Sequence, residues 1–322
     1  MRVIVLRRLL LYGALLYVVT AWALNAILAK QAIEQMSPLG FTFLRFLVMT
    51  PLAFGLAYMF DGRVHIERRD IPVLLACGFC GFGAYQYFWI LGLANTTPFA
   101  TSLIGALAPV FTLAAVALLG HERVRSGRFL GAAIALFGIA IFEGAFNGAA
   151  NAHIGDLLVL GSAAVFAGYN VLGSRLMQRY RPMELLALNM TVGTLMLVPG
   201  GVPGLMHTNL MLMGWDVRWR FIYAALFPIL LTYPVWTYAI AKIGAGKGSI
   251  FAFLVPVITG IASVPLMHAT FRPYELVGAA VCLGGMLMAY LLGNVSLRYR
   301  RIPAASVLAP PDPETQSVRL PQ

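Results

Sequence analysis

The sequence predicts an all-α integral membrane protein: ten transmembrane helices arranged as two inverted five-helix repeats. Three observations carry that prediction. Of 322 residues, 60% are hydrophobic and 11% are charged, against about 25% charged in soluble domains; mean hydropathy is +0.81. The chain also repeats itself. Residues 101–140 laid over 248–287 without a gap put Pro109 on Pro256, His121 on His268, Arg125 on Arg272 and Gly131 on Gly278. Extended backwards, the same register puts Trp89 on Trp236. Finally, the basic residues fall in alternate connections, as membrane topology requires.

The apolar runs, read at about 20 residues per span, follow in order. Span 1 (9–29) comes after Arg2, Arg7 and Arg8. Its start is like that of a signal peptide, but no soluble domain follows Ala21-Trp22-Ala23 and the run continues to Leu28, so it is read as an uncleaved span. Lys30 separates it from span 2 (39–59). Arg63, Arg68 and Arg69 precede span 3 (71–93), and span 4 (96–119) follows directly. Arg123, Arg125 and Arg128 lie at the start of span 5 (127–146). Span 6 (156–176) leads through Arg175, Arg179 and Arg181 to span 7 (183–205). Arg218 and Arg220 mark the start of span 8 (219–241). Lys242 and Lys247 precede span 9 (248–268), and Arg272 precedes span 10 (275–292). The remainder, 293–322, is basic and then proline-rich, and reads as a disordered cytoplasmic tail. The repeats are therefore 1–146 and 147–292.

With the N-terminus inside, eighteen basic residues face the cytoplasm and four (Lys30, Arg218, Arg220, Arg272) face outward, with Arg45 inside span 2. Both termini are thus expected in the cytoplasm, in a multi-pass protein of the cell inner membrane. Five spans per repeat invert the second half relative to the first. Such pairs can exchange conformations and open to each side in turn.

Composition also excludes functions. The net charge of +11 sits in short clusters between apolar runs rather than on one face, which argues against nucleic acid. No G-x-x-x-x-G-K-[ST] is present, so nucleotide-driven transport is not expected. Cys77 and Cys80 form a C-x-x-C inside an apolar run without a second pair, and read as buried packing residues. No catalytic cluster, cofactor motif or metal site is expected. His121 and His268 match across the repeats but lie at helix ends.

Phe43-Leu44-Arg45-Phe46 in span 2, Ala106-Leu107-Ala108-Pro109-Val110 in span 4, Glu122 beyond it, the Gly131-Ala132-Ala133 helix and Gly155-Asp156-Leu157-Leu158 at span 6 occur in a telling order. In these the chain resembles the drug/metabolite transporter superfamily, specifically its ten-helix proteins with two EamA-type repeats. The likeness covers about 9–292. Ala269 stands where Glu122 would recur and Asn189 near the place of Arg45. The resemblance implies a membrane transporter, often an exporter of amino acids or similar small metabolites.

Candidate binding residues come from matched polar and aromatic positions. Asn25 and Asn170 occupy the same place in the two repeats, and an amide in hydrocarbon needs a partner. Trp22 is one turn before Asn25, and Tyr169 adjoins Asn170. Gln86 with Trp89, and Tyr233 with Trp236, repeat at i, i+3 on spans 3 and 8. These eight are read as lining a central cavity for a small-molecule substrate. The competing readings are interhelical hydrogen bonding for the amides and an interfacial aromatic belt for the tryptophans. Arg45, about one and a half turns into span 2, is assigned a structural role, snorkelling outward or binding carbonyls. Pro109 and Pro256 each remove a donor mid-helix and are read as kinks or hinges. Glu143, Asp156 and Glu184 fall near helix ends and no carboxylate falls at a midplane, which argues against tight proton coupling. Gly131 with Ala135, and Gly278 with Cys282, give small-xxx-small spacing for contact with neighbouring helices or with a second copy in a homodimer. A non-transporting assembly or receptor protein, and a lipid-modifying membrane enzyme, are the weaker alternatives.

Overall fold

The computed structural model describes residues 2–62, 64–118, 126–146, 153–208, 213–243 and 251–292. Side chains of residues 2–9, Ser126, Arg128, Ile240, Ala241 and Ile243 are also outside the description, as are His121, Glu122, Lys247 and the tail from residue 293. Among the described residues the chain is helical throughout, without strands. Eight helical stretches are long and apolar enough to cross a membrane, and two shorter apolar helices, Phe129–Phe142 and Leu254–Met267, accompany them.

α1 runs Arg2–Ile33, starting earlier than expected, and α2 runs Pro38–Asp61. α3 (Ile71–Gly78) passes through a π-helical turn, Phe79–Ala84, into α4 (Tyr85–Ala94). α5 (Pro98–Gly105) and α6 (Ala108–Leu118) are two parts of one span, followed by α7 (Ser126–Phe142). The second half gives α8 (Ile154–Leu176), α9 (Pro182–Met206) and α10 (Trp215–Leu226). A second π-helical turn, Phe227–Leu231, joins α10 to α11 (Thr232–Ile243); α12 (Leu254–Met267) and α13 (Pro273–Leu291) complete it.

Local chemistry sets the boundaries. Proline opens α2, α5, α9 and α13, where its missing N–H costs nothing. Ser37 and Thr97 cap α2 and α5 by accepting from Gly40 N and Ala100 N. Asp156, Glu184 and Glu275 each accept from the backbone N–H three residues earlier, at 3.1, 3.4 and 2.9 Å. Gly62 ends α2 in the left-handed region, φ 74°.

Two corrections to the sequence reading concern continuity. Spans 3 and 8 are interrupted by the π-helical turns, and these fall at repeat-equivalent positions. Spans 4 and 9 break at Ala106-Leu107 and at Phe253, again equivalent. The breaks precede Pro109 and Pro256, which therefore sit in the first turn of a new helical segment rather than in a helix interior.

The halves meet along two antiparallel seams. On α7 and α13, a Cβ added to Gly131, Gly138 or Gly278 would lie 2.3 Å from the backbone nitrogen of Ala289, Cys282 or Phe142, and one on Gly285 would lie 2.4 Å from that of Ala135. Residue numbers rise on one helix as they fall on the other. Exchanging each residue for its repeat equivalent maps the set onto itself. The small-residue stripes of spans 5 and 10 are thus spent on each other inside the chain rather than held for a second copy. On α2 and α9, Gly40 lies against Gly204, Gly201 against Phe43, and the Thr50 and Thr194 hydroxyls are 2.8 Å apart. Arg45 and Asn189, and likewise Pro38 and Pro182, keep the same spacing as Thr50 and Thr194.

Polar contacts sort the connections into two sets. At one end Arg179 forks onto Asp70 at 2.7 and 2.7 Å, Tyr180 donates to Asp70 at 2.6 Å, and Glu184 accepts from His65 N at 2.5 Å. Residues 65–70 and 179–184 are stapled together there. At the other end Lys30 donates to the Leu93 and Ala94 carbonyls at 2.8 and 2.8 Å, and Thr96 donates to Asp156 at 2.5 Å. The connections holding residues 65–70 and 179–184 thus share one end, and those holding Lys30, Thr96 and Asp156 are joined to their neighbours at the other.

Glu143 stands just past the end of α7 at that second end. Burial, with Asp156 hydrogen-bonded to it and Glu275 close by, pushes its carboxyl up to about 8 from an ordinary value of 4.5. A raised acid pKa means that the folded chain holds a proton the unfolded chain has lost. Glu143's contribution to stability is therefore fully present below about pH 4.5 and is lost as pH rises towards 8. Glu143→Gln is expected to flatten that decline in a thermal melt series in detergent between pH 5 and 8. An unchanged slope would place the titration elsewhere.

Candidate functional site

A polar cluster is built where α1, α2 and α4 meet. Arg45 is 2% exposed. Its Nη1 donates to Asn25 Oδ1 at 3.4 Å and its Nη2 to Gln86 Oε1 at 3.1 Å. The guanidinium carbon lies 5.9 Å from the Phe41 ring centre and 5.7 Å from that of Phe46. Its Nε is buried without a partner. Arg45 neither snorkels to the surface nor binds helix-end carbonyls, which corrects the sequence reading. Both acceptors are neutral amides.

One turn along α1 from Asn25, Trp22 meets the second half. Its ring lies 4.9 Å from that of Trp236 on α11. Its Nε1 donates to the Pro228 carbonyl at 2.8 Å and to Thr232 Oγ1 at 3.1 Å. Pro228 belongs to the second π-helical turn, where the regular i to i−4 ladder is interrupted and a carbonyl is left to side chains. At the equivalent turn, Tyr169 packs edge-on to Phe82 with centroids 5.6 Å apart. A Cβ on Gly81 would fall 2.3 Å from the Tyr169 ring. Tyr169 is also hydrogen-bonded to Tyr233 through their side chains.

Four of the eight sequence candidates thus belong to two adjoining groups. Asn25 and Gln86 hold Arg45, and Trp22 pairs with Trp236. Tyr169 and Tyr233 form a third contact between α8 and α11. Asn170 has a separate partner, donating to Thr112 Oγ1 at 3.0 Å; it joins α8 to α6 and does not share the Asn25 cluster. Trp89 packs beside Ile90, Leu93, Ile33 and Met36 in an apolar cluster at the Lys30 end. Its sequence equivalence to Trp236 is not an equivalence of surroundings.

Sequence reasoning missed Pro228 and Thr232 as partners of Trp22. Pro228, a span proline, was the available signal. A cavity of about 260 Å³ also lies between the end of α2, the start of α9 and α11, walled by Asp61, Pro182, Pro234 and Thr237 among others. None of the eight candidates lines it. Every described carboxylate lies at a helix end or in a connection.

The family model for EamA-like transporters matches the chain twice, over residues 9–143 and 153–291. The chain belongs to the EamA-like transporter family. It is accordingly a multi-pass membrane transporter for small molecules and not an enzyme. An uncharacterized transporter of Archaeoglobus fulgidus is 26% identical over 83% of this chain and 94% of its own. A probable terminal-alkyne amino-acid exporter of Streptantibioticus cattleyicolor is 27% identical over 69% of this chain and 74% of its own. A probable amino-acid metabolite efflux pump of Salmonella typhimurium is 23% identical over 84% and 91%. A protein of known crystal structure superposes with a TM-score of 0.63 at 20% identity, over 88% of this EamA-like chain and 97% of its own, which establishes the shared fold.

Proposed function

We propose that this EamA-like protein is a secondary exporter of amino acids or similar small metabolites, working by alternating access. The observation that carries the reading is the pair of antiparallel seams, α7 on α13 and α2 on α9, with contacts that survive exchange of the halves. That pattern fits ten spans in two inverted repeats, 1–146 and 147–292, able to trade conformations about a two-fold axis in the membrane plane. The amino-acid class is supported by the names of the Streptantibioticus and Salmonella relatives. The protein is placed in the cell inner membrane with both termini cytoplasmic, which puts the Asp70–Arg179 staple inside and the Lys30 and Glu143 end outside.

In this reading Trp22, Asn25, Gln86, Tyr169, Tyr233 and Trp236 face the substrate path, with Asn170 as an outlying member. The π-helical turns and the breaks before Pro109 and Pro256 are the places where spans 3, 4, 8 and 9 bend. Transport is not tightly coupled to protons.

Purified protein in liposomes loaded with mixed amino acids and small metabolites tests this, with external solutes read by mass spectrometry, with and without a pH gradient. Selective loss of amino acids, unaffected by the gradient, is expected. Gradient-dependent efflux would overturn the uncoupled mechanism. No efflux of any solute from folded protein would overturn the amino-acid assignment.

A further inference from the structure

We propose that Arg45 is the carboxylate-binding residue of the transport path, so that a substrate must carry a free carboxylate. This rests on the exporter reading above and narrows it. A guanidinium within a membrane span is costly unless it meets an anion or enough acceptors. Arg45 is 2% exposed, and no carboxylate among the described residues forms a salt bridge with it. Its hydrogen bonds go to two neutral amide oxygens, on Asn25 and Gln86, and beside it lie the faces of two phenylalanine rings and the Tyr85 side chain, a neutral phenol. Nε is left over, buried and unpartnered.

The spare donor is the informative part. Guanidinium and carboxylate pair through two parallel N–H···O bonds, and one of the forks a guanidinium offers is Nε with Nη2. Here Nε is free and Nη2 is held only by the Gln86 amide at 3.1 Å. An entering carboxylate takes Nε and displaces Gln86 from Nη2, while Asn25 keeps Nη1. Gln86 and Asn25 are thus placeholders that make the empty carrier tolerable, and both lie on helices that meet the second half. Trp22 is three residues from Asn25 on α1, about 4.5 Å along the axis, and pairs with Trp236. A carboxylate on Arg45 directs the rest of a small substrate along that face. The repeat equivalent, Asn189, carries no charge, so the second half offers no matching site.

The test uses the full-length protein in detergent and liposomes, with three matched sets of ligands. Each set holds an amino acid (phenylalanine, leucine or alanine), its carboxamide, and the amine lacking the carboxyl group. Saturable change in tryptophan fluorescence gives affinity, and counterflow in liposomes gives transport. Tenfold or greater preference for at least one acid over its amide and amine is expected in the wild type. Arg45→Gln is expected to bring the acid down to the amide, and Arg45→Lys, which keeps the charge but not the fork, to lose most of the preference. Equal handling of acid, amide and amine by the wild type would overturn the proposal while leaving transport intact, and does not depend on a variant folding. So would an unchanged preference in folded Arg45→Gln. If folded wild type neither binds nor moves any of the nine, the exporter reading fails and this assignment with it.

Discussion

Replacing Gly138 by valine is expected to lower the melting temperature in detergent by many degrees or to abolish expression of folded protein. Even a Cβ at this position would lie 2.3 Å from the backbone nitrogen of Cys282 and 2.6 Å from its Cα. The obstacle is main chain, which cannot rotate away, so α7 and α13 must separate. Overpacking of this kind costs about 1–3 kcal/mol per site in soluble cores. In a bilayer the loss is felt directly, because helices associate through close packing rather than through exclusion from water. Gly285, the repeat equivalent, meets Ala135 in the same way. Alanine at Gly138 and at Gly285 is therefore expected to lower the melting temperature by similar amounts. Gly161, in α8, has open space where its Cβ would stand. Its alanine variant is expected to be neutral or stabilising by up to about 1 kcal/mol, from helix propensity. Equal melting temperatures for Gly138→Ala and Gly161→Ala would remove the seam from the account.

Alanine at Trp236 and alanine at Trp89 are expected to fail in different ways. Trp236 is half-buried and leans on Trp22 across the two halves. Removing it is expected to cut flux at least tenfold while the protein still purifies as a folded species. Trp89 packs among Ile33, Met36, Ile90 and Leu93, where α1, α2, α4 and α10 come together. Its ring is half-buried too, and truncating it removes packing against that cluster, read as a lower melting temperature, with flux per folded molecule within about threefold of wild type. The two assays, melting and counterflow, separate the outcomes. Matching losses of flux at both positions, with stability unchanged, would restore the equivalence that their sequence register implies.

That contrast marks where sequence stops being informative. The register pairs Trp89 with Trp236 in sequence; the π-helical turns and the breaks before Pro109 and Pro256 fall at positions equivalent in that register, but the sequence reads as continuous spans there. Sequence register, however, does not fix which helices lie alongside each matched residue. Their neighbours then come from unrelated stretches: Met36 and Leu93 for one, Trp22 for the other. Asn25 and Asn170 diverge for the same reason, one holding Arg45 and the other bonding Thr112. Arg45 itself was legible as an expensive charge. Its partners were not, because Asn25 and Gln86 reach it from helices 20 and 41 residues away in the chain.

By itself the sequence determined the class of the molecule, the order of its apolar runs, the duplication and the clustering of charge between those runs. These follow from local chemistry: transfer of side chains into hydrocarbon, positive charge held at one face, and proline or capping residues at helix starts. Only the tertiary structure decided that Gly131 and Gly278 face each other's helix rather than a second copy, and that Arg45 keeps a free donor. It also decided which tryptophan pairs with Trp22. Each of these depends on which helix lies beside which and at what depth. That is set by backbone approach between helices 20 to more than 200 positions apart in the chain, a quantity no local pattern encodes.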